Sequence, residues 1–225
     1  SALLQRHDQQ LTGNRIEWSH KGEIAGFKSD WSAGLDYSRN TQTRFPNSLS
    51  ATVSTVDPIN FTTENFFNVK GMKPGFNPDR TNKVATTAMF LENRTYLAKP
   101  LSLVTGLRYD QIKLEGISYQ AASATNPAYF TNTYKPTTGR LGLVYDIAPH
   151  ANVYVQHSTA ADPPAGILTT ASFAQVRDFD LTKGRQFEVG SKFDYLDGRG
   201  TATVAAYRIT RKNLAVADQN NPGTT

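Results

Sequence analysis

The residue types that most often do chemistry are sparse in this sequence and poorly arranged for catalysis or metal binding. The four histidines are His7, His20, His150 and His157. None belongs to an HExxH motif, and no two lie at metal-ligand spacing. Asp178 and Asp180 could be paired carboxylates, but they lie in a polar loop with no general-acid context. The sequence also lacks GxSxG, P-loop and Rossmann glycine patterns, so we predict neither an enzyme nor a metal site.

Aromatic and cationic side chains gather instead in three long polar stretches, near residues 46–82, 119–135 and 160–182. The most prominent of these side chains are Phe61, Phe66, Phe67, Arg80, Tyr129, Phe130, Tyr134, Phe173 and Arg177. Structureless stretches longer than about 15 residues are uncommon in compact domains unless they are functional. We therefore expect these stretches to be functional loops on a regular scaffold.

The scaffold shows the period-two alternation of β-strands. In the clearest segment, Leu103 and Leu107 share one face, whereas Arg108 and Asp110 share the other. Similar alternation recurs in segments 31–37, 140–147, 186–195 and 201–209. In the last segment, we predict that Tyr207 and Ile209 lie on the apolar face.

The connections between the strands alternate between short turns and long loops. Short Pro- or Gly-containing turns occur at 98–101, 147–151 and 197–200, and the long stretches fall between them. This order is typical of an outer-membrane barrel, which has short periplasmic turns and long extracellular loops. We predict an all-β fold, an antiparallel transmembrane β-barrel that is partial here, with roughly nine strands. A soluble β-sandwich or carbohydrate-binding module is the alternative.

The composition agrees with strands that are apolar on one face only. Hydrophobic residues make up 38% of the chain and charged residues 19%, and there is no cysteine. The net charge of +5 is spread along the chain without a run of five basic residues, so we predict no nucleic-acid partner. No apolar stretch approaches the roughly 20 residues of a transmembrane helix, but a transmembrane strand needs only about 10 alternating residues.

Several segments resemble TonB-dependent siderophore receptors, in the order and spacing of that family. They are segments 104–110, 134–146, 152–158, 180–192 and the hairpin formed by 197–200, 205–209 and 212–213. The ordered set covers about residues 83–217, and residues 1–82 fit more loosely. Two departures are Phe187, where the family often has Tyr, and the pair at 182–183, where Pro-Glu is common.

The resemblance implies that residues 1–225 are part of the receptor's β-barrel domain, with the plug domain and the C-terminal strands absent. Barrels of this class have about 22 strands. It also implies energised import of a ferric siderophore across the bacterial cell outer membrane. The partners would be the outer-membrane lipid and, through the absent plug, the TonB–ExbB–ExbD complex. Uptake of cobalamin, heme or an oligosaccharide, and a passive porin-like barrel, remain alternatives.

The same resemblance suggests a role for the loop side chains. Iron arrives already wrapped by its chelator, so we expect this segment to bind no cofactor directly. The site needs aromatic surfaces for the chelate and cations for its outward oxygens. The nine loop residues named above are therefore the candidate ligand-binding residues. The alternative is that their aromatic rings only pack the loops against one another.

Overall fold

Antiparallel strands make up most of the computed structural model, which describes residues 6–45, 57, 59–60, 77–162, 168–178 and 180–214. The strands are β1 (Arg6–Ile24), β2 (Phe27–Phe45), β3 (Arg80–Ala98), β4 (Leu101–Ser118), β5 (Tyr129–Tyr134), β6 (Thr137–Ala148), β7 (Ala151–Asp162), β8 (Thr182–Tyr195) and β9 (Gly200–Lys212). A 3₁₀ turn (Leu168–Thr170) and one short helix, α1 (Phe173–Asp178), lie between β7 and β8. Within the described ranges, no helix is long and apolar enough to cross a membrane.

The nine described strands form one open antiparallel sheet in the order β1-β2-β3-β4-β6-β7-β8-β9, and β5 also pairs with β4. Strands β5 and β6 follow one another in a single register along β4, because Ile112 pairs with Tyr134 and Tyr109 pairs with Thr137. The amide of Asp110 still donates to the carbonyl of Pro136 across the interruption, at 3.0 Å. The sheet thus has eight positions, and β5 and β6 share one of them.

The sheet has two chemically different faces, because successive side chains of a strand point in opposite directions. Residues directly paired across strands share a face, so the register assigns each side chain. One face carries large apolar side chains that remain about half exposed, such as Leu107 (59% exposed), Leu141 (56%) and Val189 (49%). We call it the apolar face. The opposite, polar face carries Arg108, Glu188 and their neighbours on every strand.

The apolar face has a limited height, measured from the short turns. On β4 it extends from Leu101 to Tyr109 and becomes polar at Gln111 and Lys113. Such a length, about nine residues, is what a tilted transmembrane strand needs. The tight turns at the lower end include a β1–β2 turn that sequence analysis missed, with Ala25 at φ 49° and Gly26 at φ 83°.

The structure corrects the predicted face of β9. The register pairs Glu188 with Tyr207 and Gln186 with Ile209, which puts Tyr207 and Ile209 on the polar face. The apolar face of β9 is instead formed by Ala202, Val204, Ala206 and Arg208. The tight turn after β8 fixes this register, and a one-residue shift would exchange the two faces.

Candidate functional site

A cluster of buried hydrophobic residues lies over the polar face, at the end of the sheet where the long connections are. Residues 168–178 and 180–181, which we call the cover segment, contribute Leu168, Ala171, Val176 and Leu181. These pack against three buried side chains of the sheet, Leu114, Phe130 and Tyr134. Since all three sheet residues lie on the polar face, the cover segment folds inward over that face.

Polar bonds from the sheet hold the cover segment by its backbone. The buried side-chain amide of Asn82 donates through Nδ2 to the backbone carbonyls of Leu168 and Ala171, at 3.2 and 2.8 Å. Arg80 donates to the carbonyl of Thr170 at 3.3 Å. Backbone carbonyls outside regular structure need such partners when they are buried, so these bonds define where the segment turns.

Helix α1 is short, and its start is capped by local bonds. The Gln175 amide donates to the Ser172 hydroxyl at 3.3 Å, and the Ser172 amide donates to the Gln175 side chain at 2.8 Å. This reciprocal pair is a capping box, which satisfies the free amides of the first turn. The cap fixes the orientation of α1, so that Val176 is buried and Arg177 is exposed.

The structure places five of the nine candidate residues in or against the cover segment. Phe130 and Tyr134 are buried beneath it, and the Phe173 ring packs 5.6 Å from that of Phe130. The exposed Arg177 guanidinium lies over the Phe173 ring at 5.6 Å and pairs with Asp178 at 2.5 Å. This pairing lowers the pKa of the Asp178 carboxyl.

Arg80 is the fifth candidate at the cover segment, because it donates to the carbonyl of Thr170. The other four candidates lie elsewhere. Tyr129 lies on the opposite face from Phe130, half exposed and paired with Ile117. Three more, Phe61, Phe66 and Phe67, lie outside the described residues. The structure therefore brings together the aromatic side chains of two long connections, 119–135 and 160–182.

Below the cover segment, the polar face carries an ion network that sequence analysis found only in part. Arg108 pairs with Asp110 at 2.8 Å and with Asp36 at 2.5 Å. Arg15 lies 3.6 Å from the same Asp36 carboxylate and 4.5 Å from the centre of the Phe90 ring. Alternation in the sequence predicted that Arg108 and Asp110 share this face. That Arg15 of β1 and Asp36 of β2 lie beside them could be seen only from the pairing of the strands.

Comparison with known proteins explains the two faces. Residues 3–225 match the family described as TonB dependent receptor-like, beta-barrel. The chain belongs to this family. Its members are receptors and transporters of the bacterial outer membrane and are not enzymes. The apolar face therefore meets lipid, the polar face lines the barrel lumen, and the cover segment lies at the extracellular mouth.

Individual relatives agree with this assignment. The metal-pseudopaline receptor CntO of Pseudomonas aeruginosa is 28% identical over 158 residues, which cover 67% of this chain and 21% of the receptor. The catecholate siderophore receptor Fiu of Escherichia coli K12 is 22% identical over 223 residues, 87% of this chain and 28% of the receptor. The matched part of the chain thus spans between 21% and 28% of these relatives' length.

Solved structures show the same fold. The closed form of the ferric-catecholate import receptor Fiu from E. coli K12 superposes with a TM-score of 0.69 at 17% identity, covering 95% of this chain and 33% of that one. The siderophore receptor PiuA from Acinetobacter baumannii gives a TM-score of 0.68 at 20% identity, covering 90% and 32%. These similarities confirm a partial outer-membrane barrel and exclude a soluble sandwich.

Proposed function

We propose that the receptor containing this chain imports a ferric siderophore by active transport driven by the TonB–ExbB–ExbD complex. In this proposal, residues 1–225 supply a continuous part of the barrel wall, and the plug and remaining strands come from the rest of the receptor. The observation that most directly supports this proposal is that the cover segment folds over the lumenal face at the extracellular mouth. Relatives named for metal-pseudopaline and catecholate siderophores support this ligand class over cobalamin, heme or an oligosaccharide.

The candidate residues divide into two roles in this proposal. Phe130, Tyr134 and Arg80 fix the position of the cover segment, while Phe173 and Arg177 present an aromatic edge and a cation to the lumen. A ferric chelate displays aromatic or aliphatic surface and outward oxygens, and an exposed arginine on a ring can bind both. Tyr129, Phe61, Phe66 and Phe67 belong to the same proposal as further ligand contacts at the loop end.

The test is uptake of radioactive ferric iron by cells that produce the full-length receptor, with a panel of siderophores and with ferric citrate. We expect saturable uptake of at least one ferric siderophore, abolished when TonB is deleted. Arg177→Gln should raise the half-saturating concentration roughly tenfold or more, since bonds to charged groups contribute about 1.5–3 kcal/mol. Arg199→Gln, at a periplasmic turn, is the matched control.

Two results would contradict the proposal. Uptake that persists at the parent rate without TonB would indicate a passive pore. Saturable, TonB-dependent uptake of cobalamin, heme or an oligosaccharide, with no response to any ferric chelate, would assign the receptor to another ligand.

A further inference from the structure

The barrel wall forks into two separate strand edges at its extracellular rim. Strands β6 and β7 pair from the short turn up to Arg140 and Ser158. Above that point the described part of β7 stays paired with β8, whereas β5 stays paired with β4. Residues 132–137 of one branch and 159–161 of the other line a common opening of about 770 Å³. We call this opening the rim notch.

At the vertex of the fork, a side chain takes the place of the next ladder bond. The Thr159 hydroxyl accepts from the Gly139 amide at 2.9 Å and lies 3.4 Å from the Gly139 carbonyl oxygen, to which it donates. The hydroxyl thus occupies both backbone groups of Gly139. It ends the β6–β7 ladder, and the two branches diverge from this point toward the rim.

Both edges of the rim notch present backbone groups that have no ladder partner among the described residues. Successive residues of an antiparallel strand direct their amides and carbonyls to opposite sides. The Asp110 amide bonds to the Pro136 carbonyl, and the Asp194 amide bonds to the His150 carbonyl. These bonds set the phase of each branch, so even-numbered residues bond to β4 or β8 and odd-numbered residues face the notch. The residues facing it are Lys135 and Thr137 on one edge, and Thr159 and Ala161 on the other.

Two free edges that flank one gap favour an extended peptide as the occupant. An unpaired strand edge is a template for another strand, and main-chain hydrogen bonds supply affinity when a peptide adds to it. The two edges run in opposite directions, so an inserted strand is antiparallel to one and parallel to the other. The sequence 163–167 begins with two prolines, which have no amide donor, so this connection is a poor candidate for the added strand.

The outward side of the rim notch is cationic. Lys183 and Arg185 follow the β7 edge on the outward face of β8, and Lys212 lies directly opposite Lys183. Lys135 lines the same opening from the β5–β6 branch. Among the described residues, no carboxylate forms an ion pair with any of these four cations. Opposite charges on neighbouring strands stabilise a sheet, so acidic side chains suit the outward positions of an inserted strand.

The lumenal side of the rim notch is largely apolar, and its two carboxylates are engaged within the cover segment. Val176 and Leu181 line this side and belong to the buried cluster. Asp178 is paired with Arg177 at 2.5 Å, and Asp180 accepts from the Leu181 amide at 2.7 Å. An inserted strand directs alternate side chains to this wall, where apolar side chains would extend the buried cluster.

We propose that the rim notch binds an extended segment of a second protein by β-strand addition. The segment alternates acidic side chains, which face the outward cations, with apolar side chains, which face the cover segment. Its backbone bonds to Lys135 and Thr137 on one edge and to Thr159 and Ala161 on the other. A peptide fits better than a lipid headgroup, because only a peptide carries the amides and carbonyls that complete both ladders.

The probe is a short fluorescent peptide of alternating Glu and Val, added to the full-length receptor in nanodiscs of zwitterionic lipid. Binding is measured by fluorescence anisotropy, and its position by hydrogen exchange. A peptide of alternating Lys and Val controls for charge. A Glu–Val peptide that is N-methylated at alternate residues keeps the charge but loses the amide donors of one edge.

Two pairs of receptor variants separate backbone pairing from charge. Ala161→Pro removes an amide that faces the notch without removing a bond to β8, and Ala161→Ser retains the amide as the matched control. Lys183→Gln/Lys212→Gln removes two cations from the notch. Lys99→Gln/Arg199→Gln removes two exposed cations from periplasmic turns and is the charge-matched control. Thermal unfolding of each variant verifies that it folds like the parent.

We expect Ala161→Pro and the notch lysine variant each to bind the Glu–Val peptide about tenfold more weakly, which corresponds to about 1.4 kcal/mol. Both control variants should bind like the parent, and the Lys–Val and N-methylated peptides should bind at least tenfold more weakly than the Glu–Val peptide. The bound peptide should slow hydrogen exchange at the amides of Lys135, Thr137, Thr159 and Ala161.

Three results would overturn the proposal. The first is no binding of the Glu–Val peptide, or equal binding by Ala161→Pro and by the parent. The second is equal binding of the N-methylated peptide, which would show that charge alone attracts the probe. The third is slow exchange of the four notch amides before any peptide is added, which would show that the receptor's own chain fills the notch.

Discussion

At the residue scale, the side chain of Asn82 joins the barrel wall to the cover segment. Its amide group makes two bonds to the segment's carbonyls, while its own oxygen has no hydrogen-bond partner among the described residues. Asn82 lies at the end of the stretch 46–82 that was predicted to be a loop, and its residue type gives no sign of this role, because its partners are the backbone carbonyls of Leu168 and Ala171, far along the chain. Sequence alone therefore could not distinguish Asn82 from the other polar residues of the wall.

Asn82→Ala should loosen the cover segment without unfolding the barrel. The substitution leaves two buried carbonyls without donors, at a cost of about 1–3 kcal/mol, and the carbonyls of Leu168 and Ala171 can regain water only if the segment opens. Hydrogen exchange at the amides of residues 168–178 should accelerate accordingly. Asn40→Ala, on the polar face of β2 and bonded to Gln9, is the control. Unchanged exchange in Asn82→Ala would show that apolar packing alone holds the segment.

At the element scale, alternation predicted parts of β2, β4, β6, β8 and β9, but it predicted neither β1 nor β3 and did not show how the long connections fold. The stretch 119–135 contains β5, which continues the line of β6. Within the stretch 160–182, the described cover segment folds inward over the polar face. The face of β9 was predicted wrongly because Tyr207 and Ile209 make their parity the more apolar one in the sequence. The register with β8 nevertheless puts that parity on the polar face, and the turn after β8 fixes this register.

Gly116 is a position where added volume would displace a buried ring of the cover-segment core. A Cβ atom there would lie 2.1 Å from the Phe130 ring, whereas at Gly184 the nearest atom would be the Ala160 Cβ at 3.5 Å. Gly116→Ala should displace Phe130 and lower the stability of the mouth by about 1–3 kcal/mol, as overpacking typically does. Gly184→Ala is the matched control and should be near neutral.

This prediction is checked by thermal unfolding of the refolded receptor together with proteolysis at the cover segment. Faster cleavage in Gly116→Ala than in Gly184→Ala is the expected result. Equal cleavage of the two variants would show that Phe130 can move aside without releasing Leu168 and Val176.

At the scale of the whole molecule, the fold and membrane setting could be predicted from sequence because they rest on many weak signals that agree. The long strands of the wall contribute an apolar and a polar face, and the short and long connections alternate between opposite ends. The site could be predicted only as a set of loop aromatics, because loop packing depends on contacts between distant segments. Phe130 and Phe173, for example, come from different loops and meet only in three dimensions.

The most direct test of the two-faced wall uses the lack of cysteine in this stretch of the receptor. Single cysteines at Leu107, Leu141, Gly142 and Gln156 would carry spin labels in the receptor reconstituted into lipid. We predict that labels at Leu107 and Leu141 are relaxed mainly by lipid-soluble oxygen, and labels at Gly142 and Gln156 mainly by a water-soluble nickel chelate. If all four labels were inaccessible to oxygen, the leucines would be buried in a protein core, and the account of a membrane wall would be wrong.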